Sequence, residues 1–428
     1  MNLEMIETLL QKRNLFLTGG AGVGKTTLTA QIIKQYETNG KRVAKLASTG
    51  MAATLLGGQT LHSFFDFGIA SSMQELQKSK KLALTKKLRR LINAMDLIVI
   101  DEISMVGAEL LEMIRFRLLQ ADFAGRLLVV GDFLQLPPIA KGGIHFAFES
   151  ESWERFSFET IILEKVYRTN DLQFIKLLHA VRYGMMNETV HNALNEFVKP
   201  IGEDLRAFTF LFGRNDSVLR HNAAQLDFLE GDLHVKEANI VVHNEKTTQR
   251  EIDRFFEDAR IEKFLQLKVG APVLFTRNSW NFFNGERGEI IKIDEDCLYV
   301  KKSDASIIKL EKLKQSKTRW IEKENEIVEE ELFSVYQYPV RLAFAITIHK
   351  SQGMSIEDVI IEPNEVFAPS QFYVALSRAK DPKRLTLIAP HRAWNAFVYA
   401  HPKAIDFYKR LQRKPAEEPA VSEEILEF

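Results

Sequence analysis

The sequence predicts an α/β protein built on parallel sheets, with a β-rich insertion. Two observations carry that expectation. Short apolar runs alternate with helix-patterned stretches over the first 165 residues and again after residue 340. Strands alternating with helices argue for a parallel sheet with helices on both faces. Between residues 266 and 339 the texture changes to short β-like runs separated by glycines and charges, which reads as a small β-rich insertion.

The elements follow in order. The N-terminal stretch MNLEMIETLLQKRN mixes acids with apolar residues and predicts an amphipathic helix, not a signal peptide. Strands are predicted at 15–18, 42–48, 97–101 and 126–131, with helices at about 25–37, 50–56 and 107–120. From 166 to 230 the pattern is mainly helical, with one strand near 207–212. APVLF, GEIIKI, CLYVKK and SIIKL are the strands of the insertion, which closes on the acidic run 322–331. VRLAFAIT, DVIIE and RLTLIA resume the alternating pattern.

Size and composition bound the answer. At roughly 150 residues per domain, a chain of 428 suggests about three domains. Thirty Phe supply material for several cores, and the single cysteine, Cys297, excludes an intrachain disulfide and a Cys-rich zinc site. No apolar run approaches the roughly 20 residues needed to cross a bilayer, so a cytoplasmic protein is expected, nucleoid-associated in a bacterium. The 57 basic and 57 acidic residues cancel, so any polyanion site must be a local groove. The tail from Pro415 to Phe428 carries five Glu and is expected to be disordered. Lys78 to Arg90 holds seven basic residues and no acid. It is either the solvated face of a helix or an edge that meets phosphates.

Residues 19–26 read GGAGVGKT, between a predicted strand and a predicted helix. That is the context in which the G-x-x-x-x-G-K-[ST] pattern cradles phosphates. Gly20, Ala21, Gly22, Val23 and Gly24 give the backbone cradle, continued by Lys25, Thr26 and Thr27 at the helix start. Amides and the helix N-terminus favour phosphate. Lys25 reaches the β- and γ-phosphates, and Thr26 ligates Mg²⁺. LIVIDE (97–102) is a buried central strand ending in two carboxylates. Asp101 would hold Mg²⁺ through water, and Glu102 would orient or deprotonate an attacking water. Gln135 lies just past the strand at 126–131, in GDFLQLPPI. It reads as a sensor of the γ-phosphate or the water, against the competing reading of a capping loop amide. Pro137 and Pro138 fix the backbone around it.

GGAGVGKTT, VIDEISM, VVGDFLQLPPI, LEKVYRT (163–169), FAITIHKSQGMS (344–355) and YVALSRAK (373–380) stand in the order of the superfamily-one helicase motifs. The chain resembles the RecD/Dda-like branch of that superfamily. DEISM, GDFLQLPP, TLHSFF and TIHKSQG point to its PIF-type (petite integration frequency) members. The resemblance implies two RecA-like P-loop motor domains with ATP between them. They would span 1–165 (with a strand-separating insertion at about 63–90) and 166–265 plus 340–414, and a small SH3-like insertion domain would occupy 266–339. Arg168 and Arg378 match the arginines that reach the γ-phosphate from the second domain, where such a group can contribute about 10³–10⁵ in rate. Gly353 would allow the backbone close to the nucleotide.

His62, Ser63, Phe64, Asn284, Thr347, His349 and Lys350 match or adjoin positions that line single-stranded DNA in the family. Phosphate contacts of that kind carry no sequence information. Phe64 and Phe65 are either core residues or base-stacking groups, and Phe282 and Phe283 are open in the same way. The implied activity is an ATP-dependent DNA helicase moving 5′ to 3′ on single-stranded DNA. It would act as a monomer on forked or structured DNA, with G-quadruplexes and RNA–DNA hybrids as substrates and replication or recombination proteins as partners. The competing reading is a DNA-stimulated ATPase or translocase that does not separate strands alone. The family's adenine-reading glutamine stands about twenty residues before the P-loop; here only Gln11 precedes it, too close.

Overall fold

A computed structural model describes residues 3–138, 143–202, 207–259, 261–323 and 326–413. The tail at 415–428 lies outside the described residues. Six strands form the first sheet: β1 (Leu15–Gly19), β2 (Val43–Ala47), β3 (Gln59–Thr60), β4 (Leu97–Asp101), β5 (Arg126–Val130) and β6 (Glu159–Leu163). They lie in the order β3-β2-β4-β5-β1-β6 and pair in parallel throughout. The two edge strands were not expected from sequence. β3 is two residues long, too short to show a period, and β6 alternates only partly.

Side chains of successive strand residues point to opposite faces, and both faces of this sheet are covered. On one face α1 (Leu3–Lys12) and α2 (Lys25–Thr38) bring Ile6, Leu10, Ile32 and Tyr36 onto Leu15, Leu17, Val99 and Val130. On the rim between β2 and β3 lies α3 (Gly50–Leu56). The other face, with Phe16, Ile98, Ile100 and Val129, is covered by α4 (Leu61–Phe64), α5 (Met73–Lys78), α6 (Lys86–Asn93), α7 (Ala108–Ala121) and α8 (Glu151–Phe156). Thr60, Ser72 and Thr85 start α4, α5 and α6 by accepting amides in the first turn, a contribution of about 1 kcal/mol each.

The chain continues through α9 (Leu172–Arg182), α10 (Glu188–Glu196), β7 (Thr209–Phe212) and α11 (Asn215–Asp227). It then enters the β-rich part: β8 (His234–Glu237), β9 (Asn239–Val242), α12 (Gln249–Ala259), β10 (Phe264–Leu267), β11 (Pro272–Phe275), β12 (Arg287–Ile293), β13 (Leu298–Lys302), β14 (Ile307–Leu310), β15 (Leu313–Lys323), β16 (Glu326–Gln337) and β17 (Val340–Leu342). It returns by β18 (Ala345–Thr347), β19 (Val359–Ile361), α13 (Gln371–Leu376), β20 (Leu385–Leu387) and α14 (Pro402–Arg413). The second parallel sheet runs β18-β7-β19-β20. Leu211, Ile346, Val359 and Ile361 pack there on α9, α10 and α13. The expected α/β class with two parallel sheets and a β-rich insertion is therefore what the chain builds.

Strands β14-β13-β12-β11-β17 form an antiparallel sheet around Val273, Phe275, Ile290 and Leu298. The long β15–β16 hairpin pairs with β9 and packs on α12 through Phe255, Phe256, Phe333 and Val335. Strands thus appear from His234, well before the expected start at 266. The segment 340–414 also divides. Its strands complete the second sheet, but α14 crosses back to the first, where Ala404 and Tyr408 join the core around Phe16 and Phe133. No helix among the described residues is long and apolar enough to cross a membrane.

Candidate functional site at the junction of the two parallel sheets

β1 ends at Gly19, whose φ is +144°; a Cβ there would lie 2.2 Å from the Leu163 carbonyl oxygen of β6. Gly22 and Gly24 also take positive φ, 76° and 85°, so the loop turns where other residues are strained. α2 begins at Lys25. The Lys25 ammonium folds over the loop and donates to the carbonyls of Gly19 (2.7 Å) and Gly20 (2.8 Å). Thr26 and Thr27 are exposed on the first turn, while Val23 is buried.

Asp101 closes β4, and its Oδ1 accepts the Glu102 amide at 2.8 Å. Glu102 sits in the left-handed region at φ 52°, a strained backbone of the kind found at functional sites. Burial, with the neighbouring Asp101, pushes the Glu102 carboxyl up to about 7. Burial raises Asp101 and lowers the Lys25 ammonium. Gln352 of the second half donates to Glu102 Oε2 at 2.9 Å.

Other contacts bring the second half onto the P-loop. The Tyr167 amide donates to the Gly22 carbonyl at 2.8 Å, and the Ala21 amide donates to the Tyr373 hydroxyl at 2.8 Å. A Cβ on Gly22 would lie 2.7 Å from Arg168 Cβ. Arg168 Nε donates to Ser355 Oγ at 2.9 Å and Nη1 to the Ser377 carbonyl at 2.5 Å. Arg378 is 2% exposed. It donates to the carbonyls of Val374, Ser351 and Met354 and to Ser377 Oγ. Burial pushes Arg168 down to about 10. Burial and the nearby Arg168 hold Arg378 well below its ordinary value. Gly353, at φ 80°, forms the turn between Gln352 and Ser355 with open space beside it. Gln135 is buried, and its side-chain amide turns to Asp132 Oδ2 at 3.4 Å. Lys25, Asp101, Glu102, Gln135, Arg168, Arg378 and Gly353 thus gather at one junction.

Sequence reasoning passed over five residues there: Asp132, Arg182, Gln352, Tyr373 and Tyr408. Three of them stand inside motifs already quoted; Arg182 and Tyr408 stand in plain helical patterns with no local signal.

The residues expected to face DNA are more dispersed. Ser63 is exposed on α4. His62 is half-buried, with Nε2 3.1 Å from the Ala70 carbonyl, and burial lowers its pKa. With Ser48, Thr49, Gly50 and Thr60 it lines a cavity of about 250 Å³, whose far wall is Arg254, Glu257 and Asp258 of α12. Phe64 is corrected to a core residue: it is 2% exposed and meets Phe65 edge-on at 5.0 Å, leaving no ring face for a base. Phe65 is core as well, and Phe282 stacks on Phe275 inside the β-rich core at 4.3 Å. Thr347, expected to line single-stranded DNA, is instead buried, and its hydroxyl accepts the Lys350 amide at 3.1 Å, capping the turn. His349 and Lys350 are partly exposed, His349 with its ring stacked against Phe367. The Asn284 backbone amide donates to Asn278 Oδ1 at 2.8 Å, and its own buried Oδ1 has no partner among the described residues.

A family model described as PIF1-like helicase matches residues 4–192. The ATP-dependent DNA helicase Pif1 of Campylobacter jejuni is 35% identical over 432 aligned residues, covering 95% of this chain and 97% of that protein. Among solved structures, Pif1 from Bacteroides sp. in complex with ADP-AlF4 is 28% identical with a TM-score of 0.82, covering 96% of each chain. Bacteroides Pif1 bound to ssDNA is similar over the same shares at 28% identity, with a TM-score of 0.64. With 35% identity to an ATP-dependent DNA helicase Pif1 over 95% of this chain and 97% of that protein, the chain belongs to the PIF1-like helicase family.

Proposed function

We propose that the chain is an ATP-dependent DNA helicase: an ATP hydrolase that moves along single-stranded DNA and separates duplex DNA ahead of it. The observation that carries this is the pair Arg168 and Arg378. Arg378 is buried and Arg168 half-buried beside the P-loop, and neither forms an ion pair among the described residues; their partners are carbonyls and hydroxyls. A buried cation without a counter-charge is costly. A triphosphate on the P-loop supplies the missing negative charge.

The roles follow from position. The Gly20–Gly24 backbone with Lys25, Thr26 and Thr27 grips the phosphates. Thr26 and Asp101 offer hard oxygens, which fits Mg²⁺, an ion usually held by one or two protein oxygens plus substrate phosphates. Mg²⁺ held there would neutralise phosphate charge. Glu102 orients the attacking water, Gln135 senses the γ-phosphate, and Arg168 and Arg378 neutralise charge as it develops. Gln352 on Glu102 and Tyr373 on Ala21 tie that chemistry to the second sheet. The first motor domain takes 1–165 and receives α14, the second takes 166–233 with the strands and helix from β18 to β20, the β-rich part from His234 lies between, and residues 63–90 separate the strands. His62, Ser63, Asn284, His349 and Lys350 line the strand; movement 5′ to 3′ and action on G-quadruplexes and RNA–DNA hybrids belong to the same reading.

The test is a fork assay. With ATP and Mg²⁺ the protein is expected to displace a strand from a 5′-tailed duplex and not from a 3′-tailed one. No displacement from either substrate, with DNA-stimulated hydrolysis intact, overturns the unwinding reading.

A further inference from the structure

The chemistry assigned above leaves one buried charge pair without a task. Asp132 follows Gly131 at the end of β5, and Arg182 ends α9; they are 1% and 8% exposed. Arg182 Nε and Nη2 reach the two carboxylate oxygens at 3.0 and 2.8 Å. A buried pair of this kind adds little net stability compared with apolar side chains of the same size, so its use lies in what it holds. Asp132 Oδ1 accepts the Leu134 amide at 3.1 Å, the Asp132 carbonyl accepts the Gln135 amide at 2.9 Å, and Oδ2 faces the Gln135 side chain. The loop that presents Gln135 is therefore organised around one carboxylate, and that carboxylate is fixed from outside by Arg182.

Arg182 is in turn fixed by α14. Its guanidinium lies 5.0 Å above the Tyr408 ring. The Tyr408 hydroxyl accepts the Phe133 amide at 3.2 Å and lies 2.6 Å from Thr18 Oγ1. Thr18 directly precedes Gly19 of the P-loop, and Phe133 directly follows Asp132. One phenol oxygen thus joins the start of the phosphate loop to the start of the Gln135 loop.

We infer that Arg182 and Tyr408 are positioning residues for hydrolysis, setting the spacing between the P-loop and Gln135 so that turnover depends on α14. This rests on the ATP-hydrolase reading above. Tyr408 acts through Phe133 and Thr18, and Arg182, which also borders Gly20 of the P-loop, acts through Asp132.

The experiment is steady-state ATP hydrolysis by the full chain on saturating oligo-dT, with Tyr408→Phe, Arg182→Lys, Gln135→Ala and each pairwise combination with Gln135→Ala. Tyr408→Phe keeps the ring and its packing, so melting is expected within a few degrees of the parent. Its kcat is expected to fall about tenfold, the order of one lost hydrogen bond in a transition state, with KM for ATP within about twofold. Combined with Gln135→Ala, neither substitution is expected to lower kcat further, because both act through that side chain. Parental kcat in Tyr408→Phe overturns the inference. So do losses that multiply with Gln135→Ala, or a Gln135→Ala enzyme at the parental rate. Lys25→Ala separates the two levels. If it is active, the hydrolase site is wrong; if it is inactive while Tyr408→Phe is parental, only the positioning role fails.

Discussion

Arg378 is a buried cation held by four uncharged oxygen acceptors. Its two roles pull in opposite directions. Burying the charge costs folding free energy, while the same unpaired charge serves a developing phosphate anion. Arg378→Met is therefore expected to lower DNA-stimulated hydrolysis by about 10³–10⁵ while leaving the melting temperature unchanged or higher; hydrolysis assays and calorimetry read the two effects separately. The site residues that were legible in the sequence were those whose chemistry demands a pattern. Glycines around Lys25, paired acids after an apolar strand and arginines in ordered motifs are such patterns. Burial was not legible: Phe64 and Thr347 sit inside motif phrases, yet one ring fills the first core and one hydroxyl caps its own turn. Arg182 and Tyr408 were invisible because their partners lie far away in sequence, Tyr408 being 390 residues from Thr18.

At the scale of elements, the basic stretch from Lys78 to Arg90 reads differently once its anchor is seen. Arg117 of α7 is buried and donates to the carbonyls of Phe65, Lys81 and Leu82, the last at 3.0 Å, and to Gln120. It pins α4 to α6 on the first sheet. Arg117→Met leaves those carbonyls short of donors. Trypsin is expected to cut between Lys78 and Arg90 faster in this variant. If the segment separates strands, fork unwinding falls more than single-strand-stimulated hydrolysis; equal losses in both would count against that role.

The β15–β16 hairpin carries a titrating contact. Burial raises the Glu331 carboxyl, but Lys314, Ser316 and Ser334 donate to it and together hold it down at about 2. A carboxyl depressed below its ordinary 4.5 adds stability that is complete above about 4.5 and lost as pH falls through about 2. Glu331→Gln is expected to melt earlier than the parent at pH 7, with the gap closing as pH drops below 4.5; a gap independent of pH would refute the assignment.

The whole molecule places its β-rich part against the first sheet's rim. α12 lies on α3 so closely that a Cβ on Gly50 would stand 2.1 Å from Asp258 Cβ, and Trp320 of the hairpin packs on the first core. Glu257 and Asp258 therefore put two carboxylates in the cavity beside His62, Asp258 paired with Arg254 at 3.6 Å, where DNA phosphates are proposed to run. Like charges there oppose binding. Glu257→Gln with Asp258→Asn is expected to tighten single-stranded DNA binding several-fold at low salt, the gain shrinking as salt screens it, measured by fluorescence anisotropy. Unchanged affinity at low salt would place the strand elsewhere. This level of organisation was the least legible in the sequence. An amphipathic pattern says that α12 and α14 each bury a face, and nothing in it names the sheet that receives the face.

The path of α14 has a consequence for how the protein is made. Phe407 lies within 4.4–6.1 Å of Phe148, Phe133, Trp153 and Phe16, all of them on or near the first sheet. A ribosome delivers those four rings more than two hundred residues before the aromatic that closes over them, so the early half of a nascent chain carries a sticky, uncovered face throughout most of its translation.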